Sequence, residues 1–217
     1  MKSKNNSVSE KLLTPDNHAL ILIDHEGQMA FATSSIPIMQ LRAHLALITG
    51  ASKIFKIPTI ITTVAEETFS GPVFPEILEV YPNKKTYIDR TSMNTWEDEK
   101  ANNAIKKTKK KKLVFAGLWT SVCIAMPTIC AIDEGFEVYV VTDACGDITK
   151  EAHEMSIQRM LQVGVVPITS VQYVLELQRD WARQETYDAV NNLIKKSGGA
   201  YGLGIQYAHA MLKEKKK

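Results

Sequence analysis

No apolar run in this chain approaches the roughly 18 residues needed to cross a bilayer. The longest candidate, Ala19–Ile23, has only the length of a buried strand. The polar opening, residues 1–17, lacks the apolar stretch of a secretory leader. Neither sign of charge dominates: 26 Lys and Arg against 24 Asp and Glu leave a net charge of +2, too little for a nucleic-acid footprint. The run Lys106–Lys112 has no interleaved aromatics and leads straight into an apolar strand. It reads as a solvated helix end rather than a phosphate patch, and Lys213–Lys217 as a frayed terminus.

Cysteine is scarce as well. Cys123, Cys130 and Cys145 are an odd number with no C-x-x-C spacing, which excludes a disulfide scaffold and favours a reducing compartment. G-x-G-x-x-G and the phosphate-binding G-x-x-x-x-G-K-[ST] are both missing, so nucleotide binding is disfavoured. The five histidines, His18, His25, His44, His153 and His209, form no i, i+4 pair and no H-E-x-x-H, so no metal is expected. These absences leave a cytoplasmic protein without metal or cofactor, acting on a small molecule rather than on a nucleic acid or a membrane.

What is present is one core's worth of chain. A sequence of 217 residues that is 45% hydrophobic can bury a single domain, and no linker interrupts it. Unalternated apolar runs at Ala19–Asp24, Pro58–Thr63, Lys112–Ala116 and Glu137–Asp143 suit strands covered on both faces. Shorter candidates lie at Tyr87–Arg90 and Val165–Thr169. Helical periodicity fills Ile38–Phe55, Glu97–Lys107 with Asn94 or Thr95 as cap, the segment from Cys123 to Gly135, and Thr149–Gln162. Further helices are expected at 171–183 and 185–196, with a last segment near 205–213. Residues 64–86, with Gly71 and three prolines, read as a long irregular loop. The alternation predicts an α/β fold: a three-layer α/β/α sandwich around a doubly wound, mainly parallel sheet. The divisions expected are an extension over 1–17, a domain over 18–183 and a helical tail over 184–217.

In such a sheet ligands sit beyond the carboxyl ends of the strands. The pattern places Asp24, Arg90, Cys123 and Asp143 there. Cys123 follows a strand-to-helix turn, where free N–H groups would lower a thiol's pKa and hold an oxyanion. Position alone fits a small buried core thiol equally well. Asp24 can serve as a general base or as a loop anchor, and Arg90 as the cation that orients it through a bidentate contact or as a surface charge. A Cys–His pair using His25 is less economical, because consecutive residues of an extended chain point apart. Cys130 and Cys145 read as packing.

Five segments together resemble a known family. They are LIDHE over 22–26, IDR over 88–90 followed by NTW over 94–96, FAGLWTSVC over 115–123, EGFEVYVVTDA over 134–144, and QRDW over 178–181. Their order and spacing are similar to the isochorismatase-like cysteine hydrolases, in the YcaC-like branch, from about Ala19 to Trp181. The resemblance implies a catalytic triad of Asp24, Arg90 and Cys123, with arginine where most of that superfamily has lysine. It implies a non-proline cis peptide at Leu118–Trp119 and an oxyanion hole from the N–H groups of Trp119 and Cys123. Glu26, Phe31, Asn94 and Trp119 are the residues it suggests for a substrate pocket. Glu26 stands where the branch usually has glutamine, making the entrance more acidic, and Trp119 is bulkier than usual. The metal ligands of the superfamily's nicotinamidases have no counterpart. Hydrolysis of an amide-type C–N bond through a thioester is the activity implied. The alternatives are a vinyl-ether hydrolase of isochorismate type, which needs no cysteine nucleophile, and a silent oligomeric binding protein. A homo-oligomer, tetramer or octamer, is implied too, with the tail around Tyr201–Ile205 available for subunit contacts.

Overall fold

The computed structural model describes residues 9–212. Six strands make one all-parallel sheet: β1 (His18–Ile23), β2 (Thr59–Val64), β3 (Ile88–Arg90), β4 (Lys112–Gly117), β5 (Glu137–Val141) and β6 (Val166–Ile168). Their spatial order is β3-β2-β1-β4-β5-β6, so the chain winds outward in one direction from β1 and then outward in the other from β4. β1 and β4 are buried along their whole length, as apolar runs without alternation require of central strands. The doubly wound α/β sandwich expected from the alternation is the architecture found.

The helices are α1 (Gly27–Ala32), α2 (Ile38–Ile54), α3 (Pro75–Val80), α4 (Glu99–Lys107), α5 (Ala125–Asp133), α6 (Lys150–Gln162), α7 (Ser170–Gln178), α8 (Gln184–Ser197) and α9 (Gly199–Met211). In α2 the buried Leu41, Leu45 and Ile48 form the stripe that seats it on the sheet. Thr149 and Thr169 cap α6 and α7 by accepting from the N–H groups of Ala152 and Gln172.

Several boundaries differ from expectation for local reasons. α4 begins at Glu99 with Asp98 as its cap, accepting from Ala101 N–H, because the Asn94 side chain is spent on Trp96 and Glu97. β5 stops at Val141, and 142–144 tighten into a 3₁₀ turn. α7 ends at Gln178 rather than 183, where Arg179 takes a positive φ of 57°. α9 starts at Gly199, six residues before the expected segment. The segment expected to be an irregular loop, 64–86, holds a π turn over Glu66–Ser70 and helix α3, which has proline at its first position. Glycines 199, 202 and 204 lower the helical signal of α9, and the short α1 carries no acidic first turn or side-chain cap.

The two flanks pack onto the same core. Leu13 is fully buried, and the Tyr139 hydroxyl donates to Lys11 O, so residues 9–17 strap the amino end of the sheet. The lysine run joins this strap rather than being solvated throughout. Lys110 donates to Asp16 O, and the buried Lys112 donates to Glu10 O and Leu12 O. Lys106 does face solvent, paired with Glu134 at 2.7 Å. Lys213–Lys217 lie outside the described residues. On the other flank, Val190 and Ile194 of α8 are buried in the core beside α2. Gly50 allows the close approach, since a Cβ there would meet Leu193 Cδ1 at 2.5 Å.

Candidate active site

The sheet register brings three strand ends together. Ile23 pairs with Gly117 on one side and with Thr62 on the other, and Val64 pairs with Arg90. Asp24, the residue after β1, therefore stands between the turn that follows β4 and the end of β2. Arg90 starts two strands away, about 10 Å at ordinary strand spacing. Only a long side chain bridges that gap, and the Arg90 guanidinium does so.

Asp24 sits in the left-handed region at φ 55°, a conformation that aspartate tolerates better than most residues. Its N–H still donates to Thr62 O at 3.1 Å, so the ladder continues while the side chain is turned aside. Oδ2 accepts from Arg90 Nη2 at 2.5 Å, and Oδ1 accepts from the Thr62 hydroxyl at 3.3 Å. Both side chains of the ion pair are fully buried. The expected bidentate contact is not formed. Arg90 Nη1 donates to Ser92 O, and Nε has no partner among the described residues. Burial lifts the Asp24 carboxyl to about 6, against the opposing pull of Arg90, Cys123 and Thr62.

Cys123 lies 3% exposed in a π turn, Thr120–Ile124, ahead of α5. The expectation of a lowered thiol pKa is overturned: it is pushed up to about 12. Desolvation dominates and the adjacent Asp24 charge adds to it, with Arg90 opposing. Burial outweighs any help from the turn, whose Cys123 N–H is already spent on Trp119 O. At rest the thiol is protonated beside a carboxylate.

The Leu118–Trp119 peptide is cis, at the position implied by the resemblance. Of the two N–H groups expected to form an oxyanion hole, that of Cys123 already donates to Trp119 O at 2.9 Å. Among the described residues the Trp119 N–H donates to no backbone carbonyl, which leaves it as the available donor. The Trp119 indole is fixed by Nε1–H bonds to Met29 O at 3.2 Å and Thr33 Oγ1 at 3.1 Å. Asp147 holds the turn from beneath by accepting from Ser121 N–H at 2.6 Å, and Thr120 Oγ1 pairs with His153 Nδ1.

The remaining sequence candidates fall in different places. Glu26 is wholly buried rather than at an entrance. Its Oε2 accepts from Val64 N–H at 2.9 Å, and burial raises its carboxyl to about 8. His25 is fully buried with Nε2 on Ala144 O; burial lowers its pKa to about 4 against the opposing pull of that bond and keeps it neutral. Asn94 reaches Cys130 Sγ at 3.6 Å and Glu97, not the triad. Phe31 is 91% exposed on α1 and lines an open cleft of about 510 Å³ with Thr33, Ile36 and Ile38. Asp143 reaches the sheet edge but is used elsewhere, accepting from Ser170 N and Oγ and lying 3.3 Å from His44. Thr62, inside β2, and Asp147 carry no mark in the sequence, because their places beside Asp24 and the 120–124 turn come from the sheet register and the packing of distant segments. Cys145 is buried and Cys130 half-buried, and all three thiols are free. Among the described residues no three His, Cys, Asp or Glu side chains converge as a metal site, and no helix is long and apolar enough to cross a membrane.

Comparison with known proteins gives a consistent picture. Residues 18–172 match the isochorismatase domain family. The probable hydrolase YcaC of Escherichia coli is 33% identical over 169 residues, 78% of this chain and 81% of that protein. The crystal structure of the E. coli YcaC gene product, described as an octameric hydrolase of unknown specificity, superposes with a TM-score of 0.86 at 31% identity over 94% of this chain and all of the other. YcaC from Pseudomonas aeruginosa, solved with hexane-2,5-diol and covalent acrylamide, gives the same score and identity over 93% and 98% of the two chains.

Proposed function

The chain belongs to the isochorismatase family, within a hydrolase superfamily, and on that premise we propose that it is a cysteine hydrolase cleaving an amide-type C–N bond of a small molecule through a thioester on Cys123. The observation that carries this reading is the buried cluster in which one carboxylate, Asp24, meets both a thiol and a guanidinium.

The relative acidities dictate how such a site would work. With Asp24 near 6 and the Cys123 thiol pushed well above it by burial and by the Asp24 charge, the proton rests on sulfur before attack. Transfer from Sγ to Asp24 therefore accompanies formation of the S–C bond rather than preceding it. The carbonyl oxygen becomes an oxyanion that accepts from Trp119 N–H, with Cys123 N–H joining only if it turns from Trp119 O. The C–N bond breaks as the amine takes the proton from Asp24, leaving the thioester. Asp24 then removes a proton from water, the hydroxyl adds to the acyl carbon, and Cys123 leaves and is reprotonated. Arg90 holds Asp24 in place throughout and favours its ionised form between proton transfers. No step calls on a metal or cofactor.

The three free thiols fit the reducing cytoplasm. The exposed Phe31 and Met39, with Leu203 and Tyr207 on α9, fit a homo-oligomer like the octamer described for E. coli YcaC. Ammonia release from a panel of small carboxamides tests the activity, and Cys123→Ala should lower it by about a thousandfold or more. Retained turnover in that variant would refute the thioester, and a vinyl-ether hydrolase would instead cleave an isochorismate-type enol ether with Cys123 replaced by alanine. Complete burial of the triad favours a second reading, a silent oligomeric binder. That reading wins if Cys123 labels with iodoacetamide no faster than Cys145 and the whole panel is inert.

A further inference from the structure

Six buried side-chain polar atoms have no partner among the described residues, and three of them, His25 Nδ1, Glu26 Oε1 and Arg90 Nε, lie beside or within the Asp24–Arg90 pair's own segments. Glu26 is the most informative. It follows Asp24 by two residues at the carboxyl end of β1, is wholly inaccessible, and is anchored through Oε2 alone to the Val64 N–H. A buried carboxyl oxygen left without a partner is costly, so a chain that keeps one at a candidate active site points to a ligand that satisfies it.

The surroundings restrict that ligand's charge. Asp24 from the end of β1, Glu66 from the π turn after β2 and Asp89 from β3 all lie close enough to raise the Glu26 carboxyl. Among the described residues, the guanidinium beside Asp24 is already engaged with Asp24 and the Ser92 carbonyl. Lys84 meets Glu66 only at 3.8 Å, from the outside. An incoming carboxylate would meet several acidic groups and no uncommitted cation.

We infer that Glu26 determines substrate specificity: its free Oε1 binds the polar substituent of an uncharged carboxamide, and the carboxyl cluster around it turns carboxylate-bearing molecules away. This rests on the amide-hydrolase reading above and narrows it to neutral substrates. At neutral pH the carboxyl is protonated and donates to the ligand; above about pH 8 it ionises and the discrimination against anions sharpens.

Acrylamide and acrylate test this without turnover. Both alkylate a thiol by adding sulfur to the β-carbon while a proton goes to the α-carbon, and they differ in charge at one end. The readout is the ratio of their rates at Cys123, found by peptide mapping, divided by the same ratio for glutathione. Any change in thiolate fraction cancels. In the full-length protein the normalised ratio should exceed one at pH 7 and rise about tenfold by pH 9 as a unit charge develops nearby. Glu26→Gln should hold the ratio flat across that range, and Glu26→Ala should lower it toward one. Circular dichroism establishes that each variant is folded, and Glu26→Gln, which preserves the bond to Val64, keeps the test available if Glu26→Ala is not. The inference is overturned if the pH dependence survives in Glu26→Gln, if the wild-type ratio is one, or if Cys123 reacts with neither reagent. A chain that shows the selectivity but releases no ammonia from any amide would defeat the proposed function while leaving the selectivity of the site standing.

Discussion

Removing the guanidinium beside Asp24 should move the pH at which the thiol becomes reactive. Arg90 Nη2 lies 2.5 Å from Asp24 Oδ2 with both side chains fully buried. Charge centres about 4 Å apart at an effective dielectric near 20 interact by about 4 kcal/mol, or roughly three pH units. Asp24 stands near 6 with this cation in place, so Arg90→Met should carry it to about 9. A raised carboxylate pKa leaves the base protonated at neutral pH. The ionised fraction at pH 7 falls from about nine-tenths to about one-hundredth, and reaction at Cys123 slows by about a hundredfold there while recovering by pH 10. The assay is the second-order rate of iodoacetamide modification between pH 5 and 10, read by peptide mapping at Cys123. The wild-type rate should climb about tenfold per pH unit below 6 and level off above it, until the thiol's own ionisation sets in. Arg90→Lys retains a cation, so its limb should lie between the wild-type and Arg90→Met positions. If the Arg90→Met limb stays within half a unit of wild type, the guanidinium does not govern the base and the argument collapses.

Three further outcomes follow from other contacts. Thr62→Val removes the 3.3 Å donor to Asp24 Oδ1; a net hydrogen bond of about 0.7 kcal/mol should raise the acid limb by about half a pH unit, and an unmoved or lowered limb contradicts it. A Cβ on Gly117 would lie 2.0 Å from Ile23 O and 2.8 Å from Ile124 Cδ1, between the strands that carry Asp24 and Cys123. Gly117→Ala should therefore cost about 3 kcal/mol and slow Cys123 labelling; wild-type denaturant midpoints would refute this. Because the folded-state pKa of Glu26 is raised from 4.5 to about 8, its stabilising contribution is complete below about 4.5 and is lost as pH rises through 8. The melting temperature of Glu26→Gln relative to wild type should accordingly increase between pH 6 and 9, and a constant difference would show that the carboxyl is not coupled to folding.

The strands that place Asp24 and Cys123 were legible because central parallel strands must be apolar on both faces, and β1 and β4 leave that mark without alternation. Asp24 ending one run and Cys123 following another were visible for the same reason. Arg90 was harder to read: β3 has only three residues, and its partner Asp24 lies 66 positions away and two strands across. Nothing in the sequence records that the Arg90 fork splits between Asp24 and Ser92, since that depends on how residues 90–94 leave the sheet. The largest error was the thiol. A cysteine after a strand-to-helix turn suggests a helix dipole, but the chain folds there into a π turn, and how deeply the sulfur is buried is a property of packing from distant segments. Dipole and desolvation act on the thiolate with opposite signs, and in a pocket this dry desolvation prevails. In the proposed mechanism this reaches the chemistry: without a preformed thiolate, Asp24 has to be ionised and in contact with the thiol at the moment of attack. Arg90 is paired with the carboxylate at 2.5 Å and only opposes the rise of the thiol. A guanidinium committed to Cys123 would lower the thiol and leave Asp24, already lifted by burial, protonated and useless.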